Sequence, residues 1–217
     1  TVGGSLLCRY GFVGNGKGLI DAKGDVNLGF IKNQNVKCAG SVNIAKEAIN
    51  SNITANKIQI HGNSLSVAGG TLTAINSIIV RTAGNISGIK SILQIVPTFE
   101  LTEEFNKTEA ANKELNEKLK KVNQQMKTLP PKARFDKELM RKFQNAINVV
   151  QQQITALEER LRKLHIEMNN FDDSFIRIDR CAYPGTIFKF GQRNMVITET
   201  LNGVKSLRLI NQEIKVI

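Results

Sequence analysis

The feature that most constrains this chain is a nine-residue motif that recurs in register. Ile20-Asp-Ala-Lys-Gly24-Asp-Val26-Asn-Leu28 matches Val36-Lys-Cys-Ala-Gly40-Ser-Val42-Asn-Ile44 position by position: apolar, polar, small, variable, Gly, polar, apolar, polar, apolar. Two degenerate copies follow, Ile53-Thr-Ala55-Asn-Lys57-Ile58-Gln-Ile60 and Leu72-Thr-Ala74-Ile-Asn76-Ser77-Ile78-Ile-Val80, and a partial one precedes, Gly4-Ser5-Leu6-Leu7-Cys8. The full copies start at 20, 36, 53 and 72. A unit this short cannot bury its own apolar side chains, so successive copies must stack on one another.

Within each copy two short alternating stretches flank a glycine or polar corner, the period-2 signature of strands three or four residues long. Gly24, Gly40 and Asn56 are read as corners that need positive φ. Phe12-Val13, Phe30-Ile31, Ala48-Ile49 and Val67-Ala68 supply a further strand upstream of each motif. Three short strands per turn make a parallel β-helix, expected to be right-handed. Inward Ile and Val stack between rungs, while outward corners take insertions such as Asn15-Gly-Lys-Gly18. A sandwich or barrel competes, because evenly spaced short strands also signal those folds, but neither predicts a closely matching motif in successive copies.

After Pro97 the pattern changes to heptads. Leu101, Phe105, Thr108, Asn112, Leu115, Leu119, Val122, Met126 and Leu129 alternate steps of four and three. Met140, Phe143, Ile147, Val150, Ile154, Leu157, Leu161, Leu164 and Met168 do the same beyond Pro130-Pro131. The double proline forbids one continuous helix, so the two seams fold into an antiparallel coiled-coil hairpin that projects from the body. Thr108 and Asn112 weaken the seam and fix its register. From Phe175 alternation resumes, with turn signals at Pro184-Gly185, Gly191-Gln-Arg-Asn194 and the hairpin dipeptide Asn202-Gly203. The division is thus 1–97, parallel β-helix rungs; 98–171, helical hairpin insertion; and 172–217, strands that complete or cap the β-helix. The fold class is mainly β with an α insertion.

Chemistry is sparse. Asp21, Asp25 and Glu47 are the only acids in the rungs, and carbohydrate-cleaving β-helices need clustered carboxylates. His61 and His165 belong to no nucleophilic constellation. Gly14-Asn-Gly-Lys-Gly18 lacks the spacing of a phosphate loop and a following helix. Three cysteines without a CxxC pair argue against a disulfide framework or zinc and for a reducing compartment. No catalytic, cofactor or metal residue is assigned.

The formal charge of +11 makes acidic partners thinkable, but the excess is scattered singly through the rungs, and the helical segment interleaves Lys and Arg with Glu. Aromatic stacking residues are scarce and no groove-reading motif occurs, so nucleic acid is disfavoured. No apolar run is long enough to span a membrane. The strand-like opening at Thr1 is read as that of an excised piece, with any targeting signal upstream.

The glycine-punctuated rungs, the hairpin and the segment Tyr183-Pro184-Gly185-Thr-Ile187-Phe-Lys-Phe190-Gly191 together resemble the bacterial flagellar assembly protein A family over essentially the whole chain. The resemblance implies an upstream domain, a cytoplasmic bacterial location, and a non-enzymatic scaffold role in flagellar assembly or polar organisation through protein partners. The alternatives are a self-polymerising element like the bactofilins, with homo-oligomers, and a basic nucleic-acid-binding protein. Lys127, Lys132, Arg134, Lys137 and Arg141, near the hairpin tip, are the candidate partner-binding residues, chosen for exposure and charge.

Overall fold

In the computed structural model, which describes residues 1–63, 66–128, 130 and 136–217, the motif copies form the walls of a parallel β-solenoid. Strands β1 (Leu6–Val13), β2 (Leu19–Ala22), β3 (Val26–Lys32), β4 (Asn35–Cys38), β5 (Ser41–Ile44), β6 (Ala48–Ile60), β7 (Val67–Ala83) and β8 (Ser91–Ile95) pair with the strand one turn away, all parallel. On the first wall Ile20, Val36, Ile53, Leu72, Leu93 and Phe188 stack in consecutive turns. On the second, Leu6, Val26, Val42, Ile58, Ile78 and Ile176 do so. Phe12, Ile31, Ala48 and Val67 line the third. The motif alignment is therefore the physical register.

These columns are the core. Ile58, Ile78, Val42 and Ile176 are fully buried, and each touches its counterparts above and below, so every turn covers the apolar face of the next. Among the described residues the buried aromatic rings, Phe171, Phe188 and Phe190, lie at the C-terminal end, where Phe171 meets Phe190 edge-on at 6.1 Å between centroids. Outside, polar side chains form ladders: the Asn43 amide donates to Asn27 Oδ1 at 3.0 Å, and the Asn52 amide to Asn35 Oδ1 at 3.0 Å.

Two expectations about the corners are corrected. Gly24, Gly40 and Asn56 do not have positive φ. Space is what selects the two glycines: a Cβ on Gly24 would meet the backbone and hydroxyl of Ser5, and one on Gly40 would meet Asp25 Oδ1 and the Gly24 backbone. Along the turns, left-handed residues recur at the corner from the third wall to the first, where Gly16, Asn33, Asn50, Gly69 with Gly70, Gly84 and Gly185 fall in succession, while Gly191, Gly203, Asn211 and Gln212 lie in the turns of the C-terminal strands. Glycine and asparagine are the residues that adopt this region at least cost. The strands of the middle turns also run longer than three or four residues. β6 pairs along all three walls, because the bend at Asn56 is tight enough for the ladder to resume directly beyond it.

After the hairpin, β9 (Phe175–Ala182) continues the second wall on β7, and β10 (Thr186–Phe190) the first wall on β8. The remaining strands are antiparallel. β11 (Arg193–Val196) pairs with β10, β12 (Leu201–Asn202) and β13 (Lys205–Ile210) with β9, and β14 (Glu213–Val216) with β13. They cap the last turn, whose outer backbone groups a further parallel strand would otherwise need to satisfy. Asn202-Gly203 is not the hairpin turn its sequence indicates. Asn202 lies opposite Cys181 and Lys205 opposite Ile178, so the register along β9 is unbroken across Gly203. The tight turn falls instead at Asn211 and Gln212, with φ of 51° and 68°, the backbone of a type I′ hairpin.

Residues Thr1–Pro97 with Phe171–Ile217 form one compact unit and Thr98–Asn170 the other. The second contains α1 (Phe99–Thr128) and α2 (Lys137–Met168). Ile95, the last residue of β8, pairs with Ala74, and Phe175, the first of β9, pairs with Ser77. The helices thus enter the chain at the slot that Ile75 and Asn76 fill one turn below.

Candidate interaction surface

Each rung acid is accounted for by local structure. Asp25 accepts the Ser41 backbone N–H at 2.7 Å and its own N–H donates to Ser5 Oγ, which ties three turns together at one corner. Glu47 pairs with Lys32 at 2.9 Å, and Asp21 lies opposite Lys37 in the ladder. None of these acids is paired with a second carboxylate. The glycine loop after β1 packs on the next turn: the Asn35 amide donates to the carbonyls of Gly16 and Gly18, and Gly14 and Gly18 lie against the Gln34 side chain. A strand, not a helix, follows it. Among the described residues no three His, Cys, Asp or Glu side chains are grouped to hold a metal ion.

A shallow groove of about 300 Å³ crosses the early turns, lined by Leu7, Asn27, Leu28, Asn43, Ile44 and His61. Cys8 and Arg9 also line it, and its lining includes no carboxylate. The cysteines are free; Cys38 and Cys181 are buried, and the Cys38 thiol donates to the Gly24 carbonyl at 2.8 Å. Burial pushes that thiol above its ordinary range, with the nearby charge of Asp25 adding to the effect.

The hairpin is different in kind. Thr98 Oγ1 accepts the Leu101 N–H near the start of α1, and Asp136 caps α2 by accepting the Glu138 and Leu139 N–H groups at 2.9 and 3.1 Å. Glu104 and Arg160 are joined across the antiparallel helices, with Arg160 Nε at 3.0 Å, an exposed pair. Asn112 is half-buried at its heptad position. Its backbone and side-chain oxygens accept from Asn116 one turn on. The heptad positions face inward as the sequence implies, but incompletely: α1 has no buried residue along its length, and α2 buries Ile147, Ile154 and Leu164.

Of the candidate residues, Lys127, Lys137 and Arg141 are exposed on α1 and α2, and Lys132 and Arg134 lie outside the described residues. A groove of about 500 Å³ opens midway along the hairpin, floored by Ala111, Leu115, Ala156 and Leu157 and flanked by Glu114 and Lys118. Sequence reasoning passed over it, although Ala111 and Ala156 put two small side chains on its floor. Among the described residues no helix is long and apolar enough to cross a membrane.

The β-solenoid domain model of flagellar assembly protein A matches residues 1–214, a span that takes in the rungs, the hairpin and the cap. The chain belongs to that family. No curated protein matches the chain, and no solved structure does.

Proposed function

We propose that this protein is a non-enzymatic, cytoplasmic scaffold of flagellar assembly or polar organisation, in which the solenoid is the rigid part and the hairpin makes the protein contacts. Family membership supplies the process. The observation that carries the division of labour is the composition of the two units. In the rungs, Asp25, Glu47 and the glycine loop after β1 are engaged in holding one turn to the next. The hairpin keeps two helices of 30 and 32 residues with charged, exposed faces. Long helices laid side by side offer a row of side chains over roughly 45 Å, a length suited to another elongated or helical protein.

Within this reading Lys127, Lys132, Arg134, Lys137 and Arg141 receive an acidic protein surface. Such charges act chiefly on encounter rate and specificity. The test is reversal of all five to Glu in a flagellated bacterium that lacks its own copy. The unmodified protein is expected to restore the number and position of flagella, and the reversed one to fail while reaching the same abundance. Full restoration by the reversed protein would sink the assignment.

A further inference from the structure

We propose that the open face of the hairpin is covered by the same face of a second copy of this chain, with the two hairpins antiparallel about a two-fold axis at the groove of Ala111, Leu115, Ala156 and Leu157. The inference deepens the scaffold reading above and rests on the hairpin being its contact-making part.

Incomplete burial is the first observation. A two-stranded seam with apolar heptads should enclose its core side chains, yet α1 buries none of them. On the neighbouring outer turn Val149 is 53% exposed. The second observation is charge. From its start to residue 117, α1 carries six Glu against Lys107 and Lys113; beyond it come Lys118, Lys120, Lys121 and Lys127 without an acid. A helix dipole rewards such a bias only within the first and last turns, and Glu109, Glu114, Glu117 and Lys118 lie well inside. The third is the stretch 143–157 of α2, which has no charged residue and lies alongside the groove.

These three features fit one partner. Two hairpins placed antiparallel set the acidic half of each α1 along the basic half of the other, and put the uncharged middle and the apolar groove on the axis. A parallel pairing would align like charges and is disfavoured. Isologous contact of one self-complementary patch is also the commonest way that soluble chains dimerise.

The experiment is sedimentation velocity on the full 217-residue chain in low and high salt. Variants are Glu103→Lys with Glu109→Lys, Lys120→Glu with Lys121→Glu, and Ala156→Arg, each checked for unchanged helicity, since Lys and Glu are comparable helix formers. The unmodified chain is expected to dimerise, more weakly in high salt. Each variant alone is expected to dissociate about tenfold more readily. An equimolar mixture of the two charge variants is expected to associate again. A monomeric unmodified chain, dimers that survive all the variants, or a mixture that stays apart would each overturn the proposal. None of the substituted residues belongs to the five basic candidates. A monomeric chain whose five-site reversal still abolishes flagella would therefore leave the scaffold reading standing without the dimer.

Discussion

The Asp25 carboxylate accepts the Ser41 backbone N–H at 2.7 Å, one turn further along the solenoid. The corner glycines exist to let this happen, because a Cβ on Gly40 would meet the same carboxylate oxygen. Asp25→Ala removes the acceptor and leaves a corner amide to water. The loss is expected to cost about 1 kcal/mol, and to lower the melting temperature of the β signal by about 2–4 °C. Thermal circular dichroism in the strand region measures it; an unchanged transition would mean that water replaces the carboxylate at no cost.

Gly70 is constrained twice. Its φ is +79°, and an added Cβ would meet the Ser51 backbone one turn away. Gly70→Ala is expected to destabilise by more than the ~1 kcal/mol of a left-handed alanine, because neighbouring backbone, not a flexible side-chain end, must move. Gly203 has a similar φ of +85° but open space where the Cβ would go. Chemical denaturation of the two alanine variants side by side should place Gly70→Ala clearly below Gly203→Ala, and equal values would refute the steric part.

Cys38 gives a pH dependence. Burial, the largest cause, raises its thiol above the ordinary value near ~8.5. The folded chain therefore holds this proton more tightly than the unfolded one. The contribution is fully present below the ordinary thiol range and is lost as pH rises through the folded value. Denaturation between neutral and alkaline pH should show stability falling above that range, and Cys38→Ala should flatten the slope. Alkylation of Cys38 in the native protein is expected to be slow at neutral pH and fast after unfolding.

The register of the first two walls was legible because the motif is itself the register: Ile20 stacks on Val36, Val26 on Val42 and Leu28 on Ile44, as the alignment of copies implies, whereas on the third wall Ile31, not Phe30, pairs with Phe12 and Ala48. The heptad seams were legible for the same reason, since a repeat and a contact are one thing in both folds. Corner chemistry was not. Gly24 and Gly40 look like positive-φ residues in sequence, whereas the column that adopts that backbone includes Asn33 and Asn50, which no motif position marks. Asn202-Gly203 misleads because its partner is β9, earlier in the chain, rather than the strand next to it. The tie between Glu104 and Arg160 joins distant points of the chain, and neither belongs to a core heptad position. The charge bias of α1 vanishes when the whole helical segment is totalled and emerges only when each half is read at its own height on the hairpin.

The pairing of Ile95 with Ala74 and of Phe175 with Ser77 means that the ends of the helical unit are joined to one bend of an otherwise uninterrupted wall. A part attached this way is exchangeable. Lengthening, shortening or replacing it leaves the hydrogen-bond ladder on either side intact, so a lineage is free to change the helical unit while inheriting the spool unchanged. The same economy is open to an engineer, who needs only two adjacent strand ends to graft a new appendage onto this frame.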